Sequence, residues 1–139
     1  MQTANLSGAL LDYHTARAEG VPAADLEFRA AGSLCVRVLR NGPAGIDGVM
    51  VLDYSTNWAL TGPLVEKHDL TIYRWMYDTA DRQFDSSVAD FWAVEAPSSA
   101  HYIDCYRSDF EDEAAPTPLI AICRAVVRAA FGDEVEDLP

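Results

Sequence analysis

Residues 117–132, TPLIAICRAVVRAAFG, specify a helix with both ends marked, and this limits what the rest of the chain can fold into. Thr117 can cap the first turn by accepting an orphan N–H, and Pro118 fits the first helical position, where a missing N–H costs nothing. Gly132 supplies the left-handed stop. At about 100° per residue, Leu119, Ile122, Cys123, Val126, Val127 and Ala130 share one broad apolar face, with Ile120 and Phe131 on its shoulder. Arg124, Arg128, Ala121 and Ala125 form the opposite strip. Fourteen or so residues at a rise of about 1.5 Å make a rod of roughly 21 Å, long enough to cover a small sheet.

A second helix is predicted over 7–19, with Ser7 as its cap and Gly20 as its stop. Leu6, Ala9, Leu10, Tyr13 and Arg17 fall on its inner face, and Asp12, Thr15 and Glu19 on the opposite side of what reads as an amphipathic surface helix. Residues 34–40 and 49–54 are rich in branched side chains and are joined by a stretch with three glycines and a proline, which predicts a hairpin with a longish loop. Residues 70–77 and 91–96 are strands by alternation and aromatic content, and 100–106 is a further strand or an ordered loop. Residues 22–28 form a turn or short strand, whereas 55–67 fits neither period cleanly, with 64–67 as one helical turn behind Pro63. Helix, four to five strands and helix predict an α+β fold: one domain over 1–139, an antiparallel sheet of four to five strands, and an N-terminal and a C-terminal helix packed on it. The acidic residues 133–139 are expected to fray.

Charge narrows the function classes. Aspartate and glutamate number 22 against 10 lysines and arginines, a formal net charge of −12. Such a field opposes direct binding to nucleic acid or to anionic membranes, both of which need a basic surface. No apolar run approaches a membrane span and no secretory leader opens the sequence, so a cytoplasmic location is expected. Cys35, Cys105 and Cys123 lack any CxxC spacing and read as reduced thiols; His14, His68 and His101 lack metal-ligand spacing. No metal and no cofactor are expected.

The residues with chemical potential lie in three places. Tyr54, Ser55, Thr56, Asn57 and Trp58 set hydroxyls and an amide beside an indole; they make either a small-ligand wall or a tight loop anchored by Trp58. Arg124 and Arg128 stand one turn apart on the last helix, with Arg124 either solvated or facing a carboxylate or a ligand. Arg17 can lay its stem along the core and reach a carboxylate or ligand with its guanidinium. Asp12, Asp53 and Glu66 are the acids a metal-dependent hydrolase or nuclease would use, although no DxD or HExxH spacing supports one.

Three blocks resemble a known family. Leu11-Asp12-Tyr13 through Ala18-Glu19-Gly20, Tyr54-Ser55-Thr56-Asn57-Trp58 with Gly62-Pro63-Leu64-Val65-Glu66, and Pro116-Thr117-Pro118-Leu119-Ile120-Ala121 through Arg124 to Phe131-Gly132-Asp133-Glu134-Val135 are similar to the patterns of the NinX-like phage and prophage accessory proteins. The resemblance implies a phage or prophage gene product acting in the bacterial cytoplasm and implies no catalytic mechanism. Residues 68–110 match no family pattern, and Ala115 stands where the family carries glycine. The resulting expectation is a noncatalytic binding module for a host protein or a small-molecule ligand, anions included, held by Tyr54, Ser55, Thr56, Asn57, Trp58, Arg17 and Arg124. The blocks are then expected to meet in space, with Arg124 and either Arg17 or Glu19 close to Trp58. The alternative is a small metal-dependent hydrolase or nuclease using Asp12 and Asp53. A homodimer is expected through strand 70–77, where Tyr73, Trp75 and Tyr77 alternate on one face.

Overall fold

The computed structural model describes residues 1–75, 91–95 and 115–138. Among these residues lie three α-helices, α1 (Gly8–Ala18), α2 (Trp58–Lys67) and α3 (Pro118–Phe131). Strands β1 (Leu26–Arg29), β2 (Leu34–Leu39) and β3 (Gly48–Val51) form an antiparallel sheet in the order β1-β2-β3. Strands β4 (Thr71–Trp75) and β5 (Phe91–Glu95) form a separate antiparallel pair. The fold is α+β, but the expected single sheet of four to five strands is two ladders among the described residues. The predicted element at 100–106 lies outside them, as do the side chains of Tyr73, Trp75 and Tyr77.

Helix α3 forms as its caps dictate. Thr117 Oγ1 accepts from Ile120 N at 3.2 Å, and Gly132 takes φ 89° with its N–H donating to Arg128 O at 2.8 Å. Leu119, Ile122, Cys123, Val126 and Val127 are buried, each large aliphatic side chain contributing about 1.5–3 kcal/mol. The buried arc is shifted from the expected one: Ala121 is inside and Ala130 is exposed. The reason is that α3 has α1 and α2 against it as well as β5, so its Ala121 side is covered too.

Helix α1 departs further from expectation. Asp12, His14 and Thr15 are all buried, so the side assigned to solvent is an interior face. Helix α1 packs against α3 on one side and β2 on another, which leaves it little exterior surface. Tyr13 stacks on Phe28 of β1 with ring centroids 5.4 Å apart and meets the edge of His14 at 5.2 Å. Ser7 occupies the cap position without making a side-chain cap bond.

The hairpin is as predicted, with Val36 opposite Val51 and Leu39 opposite Gly48. Gly42 is required in its loop, because a Cβ there would lie 2.6 Å from Ile46 O. Residues 55–67 hold a full helix rather than one turn. The run Asp53 to Asn57 is its entry: Thr56 N donates to Asp53 O at 3.0 Å, Asn57 Nδ2 donates to Asp53 Oδ1 at 3.1 Å, and Asn57 Oδ1 accepts from Ala59 N at 2.9 Å. Pro63 therefore sits inside α2, where its missing N–H falls opposite the exposed Ala59 rather than in the core.

The tail, expected to fray, is paired with the N-terminus over residues 132–135. Met1 and Val135 exchange two backbone hydrogen bonds at 2.9 Å, Thr3 N donates to Asp133 O at 2.8 Å, and Thr3 Oγ1 donates to Gly132 O at 2.8 Å. Pairing with residues 1–3 gives the tail the backbone partners a free end lacks. One apolar cluster, including Leu11, Cys35, Leu64, Val94, Ile122 and Val135, links the helices, both ladders and this tail. No helix among the described residues is long and apolar enough to cross a membrane.

Candidate functional site

The three sequence blocks do meet, through smaller residues than the arginines. Thr15 of α1 and Thr61 of α2 are fully buried, and both hydroxyls lie beside the thiol of Cys123 on α3. Thr15 Oγ1 donates to Leu11 O at 2.7 Å, and Thr61 Oγ1 donates to Tyr54 O. Burial pushes the Cys123 thiol up to about 12, against the smaller opposing effect of the two hydroxyls. Beside this junction Asp12 Oδ1 accepts from Ser55 N at 2.7 Å. Burial holds the Asp12 carboxyl above its ordinary 3.8, the Ser55 hydrogen bonds oppose that shift, and the nearby Asp53 adds to it. A buried polar seam thus joins one element from each block.

The expected ligand wall is divided by this seam. Tyr54 and Ser55 are inside, and burial, followed by the charge of Glu19, raises the Tyr54 phenol above 10. Thr56 is exposed, Asn57 is the helix cap, and Trp58 stands 52% exposed at the start of α2, outside the apolar cluster. Glu19 reaches the opposite end of α2, where Lys67 Nζ donates to it at 3.0 Å and His68 Nε2 lies 3.3 Å away. Arg124 Nε donates to Leu6 O at 2.9 Å in a small recess that Thr3 and Val94 also line. Arg17 Nη1 donates to Val21 O at 3.1 Å. The blocks converge around Asp12, Ser55, Thr15, Thr61 and Cys123, while both arginines are on backbone carbonyls: Arg17 at the C-terminal end of α1, and Arg124 at mid-helix beside Cys123 but turned to Leu6 O.

Arg17 borders a different feature. A cleft of about 180 Å³ opens between α1 and the tail, lined by His14, Arg17, Phe131, Glu134, Val135 and Glu136. His14 is 3% exposed, and its Nε2 is buried without a hydrogen-bond partner among the described residues. A buried polar nitrogen left unpaired costs about 1–3 kcal/mol, so such an atom needs a reason. Burial lowers the imidazole pKa below 6.5, the charge of Glu136 acting in the opposite direction, and Arg17 also disfavours the imidazolium. Neutral imidazole, guanidinium and carboxylates therefore stand around one small space. The other buried nitrogen without a partner, Arg37 Nε, belongs to a guanidinium that faces Asp25 at 3.6 Å.

Sequence reasoning singled out Arg17 but missed His14, Phe131 and the tail wall. A tail expected to fray offers no wall, and a single histidine on a helix carries no spacing signal. A second cleft, of about 200 Å³, lies between residues 2–5 and Arg128, but there Arg128 is already paired with Asp133 at 2.6 Å. Asp12 and Asp53 are both hydrogen-bond acceptors for their own chain. Among the described residues no group of three His, Cys, Asp or Glu side chains is placed to hold a metal ion. Neither a scan against protein-family models nor a search of curated proteins found a match to this chain.

Proposed function

We propose that this chain is a noncatalytic binding module that holds a small polar ligand in the cleft between α1 and the tail, as an accessory protein of a phage or prophage acting in the bacterial cytoplasm. The observation that carries the reading is the cleft that sets the guanidinium of Arg17 beside Glu134 and Glu136, with buried His14 behind it. The space equals roughly six waters of liquid volume, which suits a metabolite well below drug size. A plain anion fits poorly, because Glu134, which accepts from Gln2 Nε2 at 2.7 Å, and Glu136 line the same cleft as Arg17. A ligand with a carboxylate for Arg17 and an ammonium for the glutamates matches both walls, with Phe131 and Val135 against its apolar part. Free α-amino acids are the simplest members of that class.

The metal-dependent hydrolase reading has less support, since it would draw on Asp12 and Asp53, which are committed to Ser55 and Asn57. The family resemblance is the ground for the phage assignment and bears equally on both readings.

Thermal unfolding with each of the twenty free α-amino acids tests the proposal. A ligand at ~100-fold its Kd adds about 2.7 kcal/mol to stability, a rise of several degrees in Tm for a chain of this size. At least one is expected to give such a rise, and Arg17→Gln is expected to abolish it while leaving the unliganded Tm near wild type. No response to any of the twenty, or a response that survives Arg17→Gln, would overturn the reading.

A further inference from the structure

We infer that the outer edge of β3 is a self-association surface, on which a second copy of this chain pairs strand to strand. The inference is independent of the ligand cleft. Among the described residues no strand pairs with that edge, since β3 ends the order β1-β2-β3. Val49, Met50 and Val51 are 47%, 44% and 43% exposed, and Ile46 just before them is 69% exposed. Both faces of the strand are therefore apolar and open.

The two edges of this sheet are built differently. On β1, Glu27 and Arg29 form an exposed ion pair at 3.2 Å, the kind of charge that discourages another strand from adding. On β3 nothing charged lies between Asp47 and Asp53, and there is no proline. Those two aspartates are turned to their own chain, Asp47 Oδ1 accepting from Asn41 N and Asp53 Oδ1 from Asn57 Nδ2. Apart from its shortness, the strand thus lacks the charges and proline that keep edge strands apart.

Charge selects the occupant. The whole chain carries −12, which opposes self-association in general. Residues 25–53 come close to balance: Asp25, Glu27, Asp47 and Asp53 stand against Arg29, Arg37 and Arg40, with Arg37 paired to Asp25. A basic partner gains little attraction from this nearly neutral region, whereas a second copy meets little repulsion from it.

Hydrogen-bond geometry supplies the register. Leu52 N donates to Cys35 O at 2.9 Å, so these opposite residues are a bonded pair. Alternation along an antiparallel ladder then makes Met50 with Arg37 the next bonded pair and turns the N–H and C=O of Val49 and Val51 outward. A twofold axis through Met50 places Val49 opposite Val51 of the second copy, twice, for four backbone hydrogen bonds. Met50 then faces Met50 of the second copy as a non-bonded pair, with Cα atoms about 4.5 Å apart.

Sedimentation equilibrium on the full chain tests this. Wild type is expected to be a dimer, and Val49→Lys and Met50→Lys are each expected to weaken it at least about tenfold. Because both positions are exposed, circular dichroism is expected to match wild type, as is melting at concentrations low enough for wild type to be monomeric. Met50→Cys is expected to give a disulfide mapped to position 50 in both chains on mild oxidation, because the spacing lies within disulfide range. A wild-type chain that stays monomeric up to about 1 mM, a dimer indifferent to both lysines, or a Met50→Cys chain with no 50-to-50 link would overturn the inference.

Discussion

Polar and apolar residues exchange their usual places between two regions of this molecule. Where α1, α2 and α3 meet, Asp12, Thr15, Ser55 and Thr61 are buried, each hydrogen-bonded within the chain. On the three-stranded sheet, Phe28, Leu39, Val49, Met50 and Val51 are exposed. The contrast shows where each kind of residue acts. The polar members of the sequence blocks hold the helices in register, since a buried hydrogen bond is costly to break, while the sheet leaves apolar side chains open to solvent.

Truncation of the core gives the widest separation between the two regions. Leu11→Ala in the helical layer is expected to cost about 2–5 kcal/mol in urea unfolding, because Leu11 is fully buried. Val49→Ala on β3 is expected to stay within about 0.5 kcal/mol for the monomer. Equal costs would mean that the sheet is as closed as the helices. A smaller effect, about 1 kcal/mol, is expected for Thr117→Ala, which removes the bond to Ile120 N and leaves the rest of α3 in place.

Asp12 gives the finest test, through pH. Its pKa is raised in the folded chain above 3.8, chiefly by burial, so the folded state holds that proton more tightly than the unfolded chain does. The contribution of Asp12 to stability is therefore largest below 3.8 and falls as pH rises through the raised value. Asp12→Asn keeps an acceptor for Ser55 N–H, so its stability relative to wild type is expected to improve with rising pH across that window. A variant that instead loses ground as pH rises would mean that the carboxylate is stabilised in place.

The sequence showed most where local chemistry is decisive. Thr117, Pro118 and Gly132 bound α3 without help from elsewhere, and branched residues on both sides of a glycine-rich loop made the β2–β3 hairpin visible. Helix α2 was hidden because Asn57 reads equally as a turn former and as a cap, and because Gly62-Pro63 looks like a break. The buried side of α1 was hidden for a different reason. Periodicity places Asp12 and Thr15 opposite Leu10 and Tyr13, but it cannot tell that two further elements cover that side. The site showed the same division: Arg17 was legible as a helical arginine able to reach a ligand, whereas its wall at Glu134 and Val135 depends on pairing with residues more than 130 positions away.

The seam between the helices carries the fold, and the indole at the start of α2 does not. Urea unfolding of Thr61→Val beside Trp58→Ala tests it most directly. Thr61→Val keeps the side-chain shape and deletes a buried hydroxyl bonded to Tyr54 O, for an expected loss of about 1–3 kcal/mol. Trp58→Ala removes a side chain that is 52% exposed and outside the apolar cluster, for an expected loss under about 1 kcal/mol. The reverse order, with Trp58→Ala the costlier change, would contradict the account.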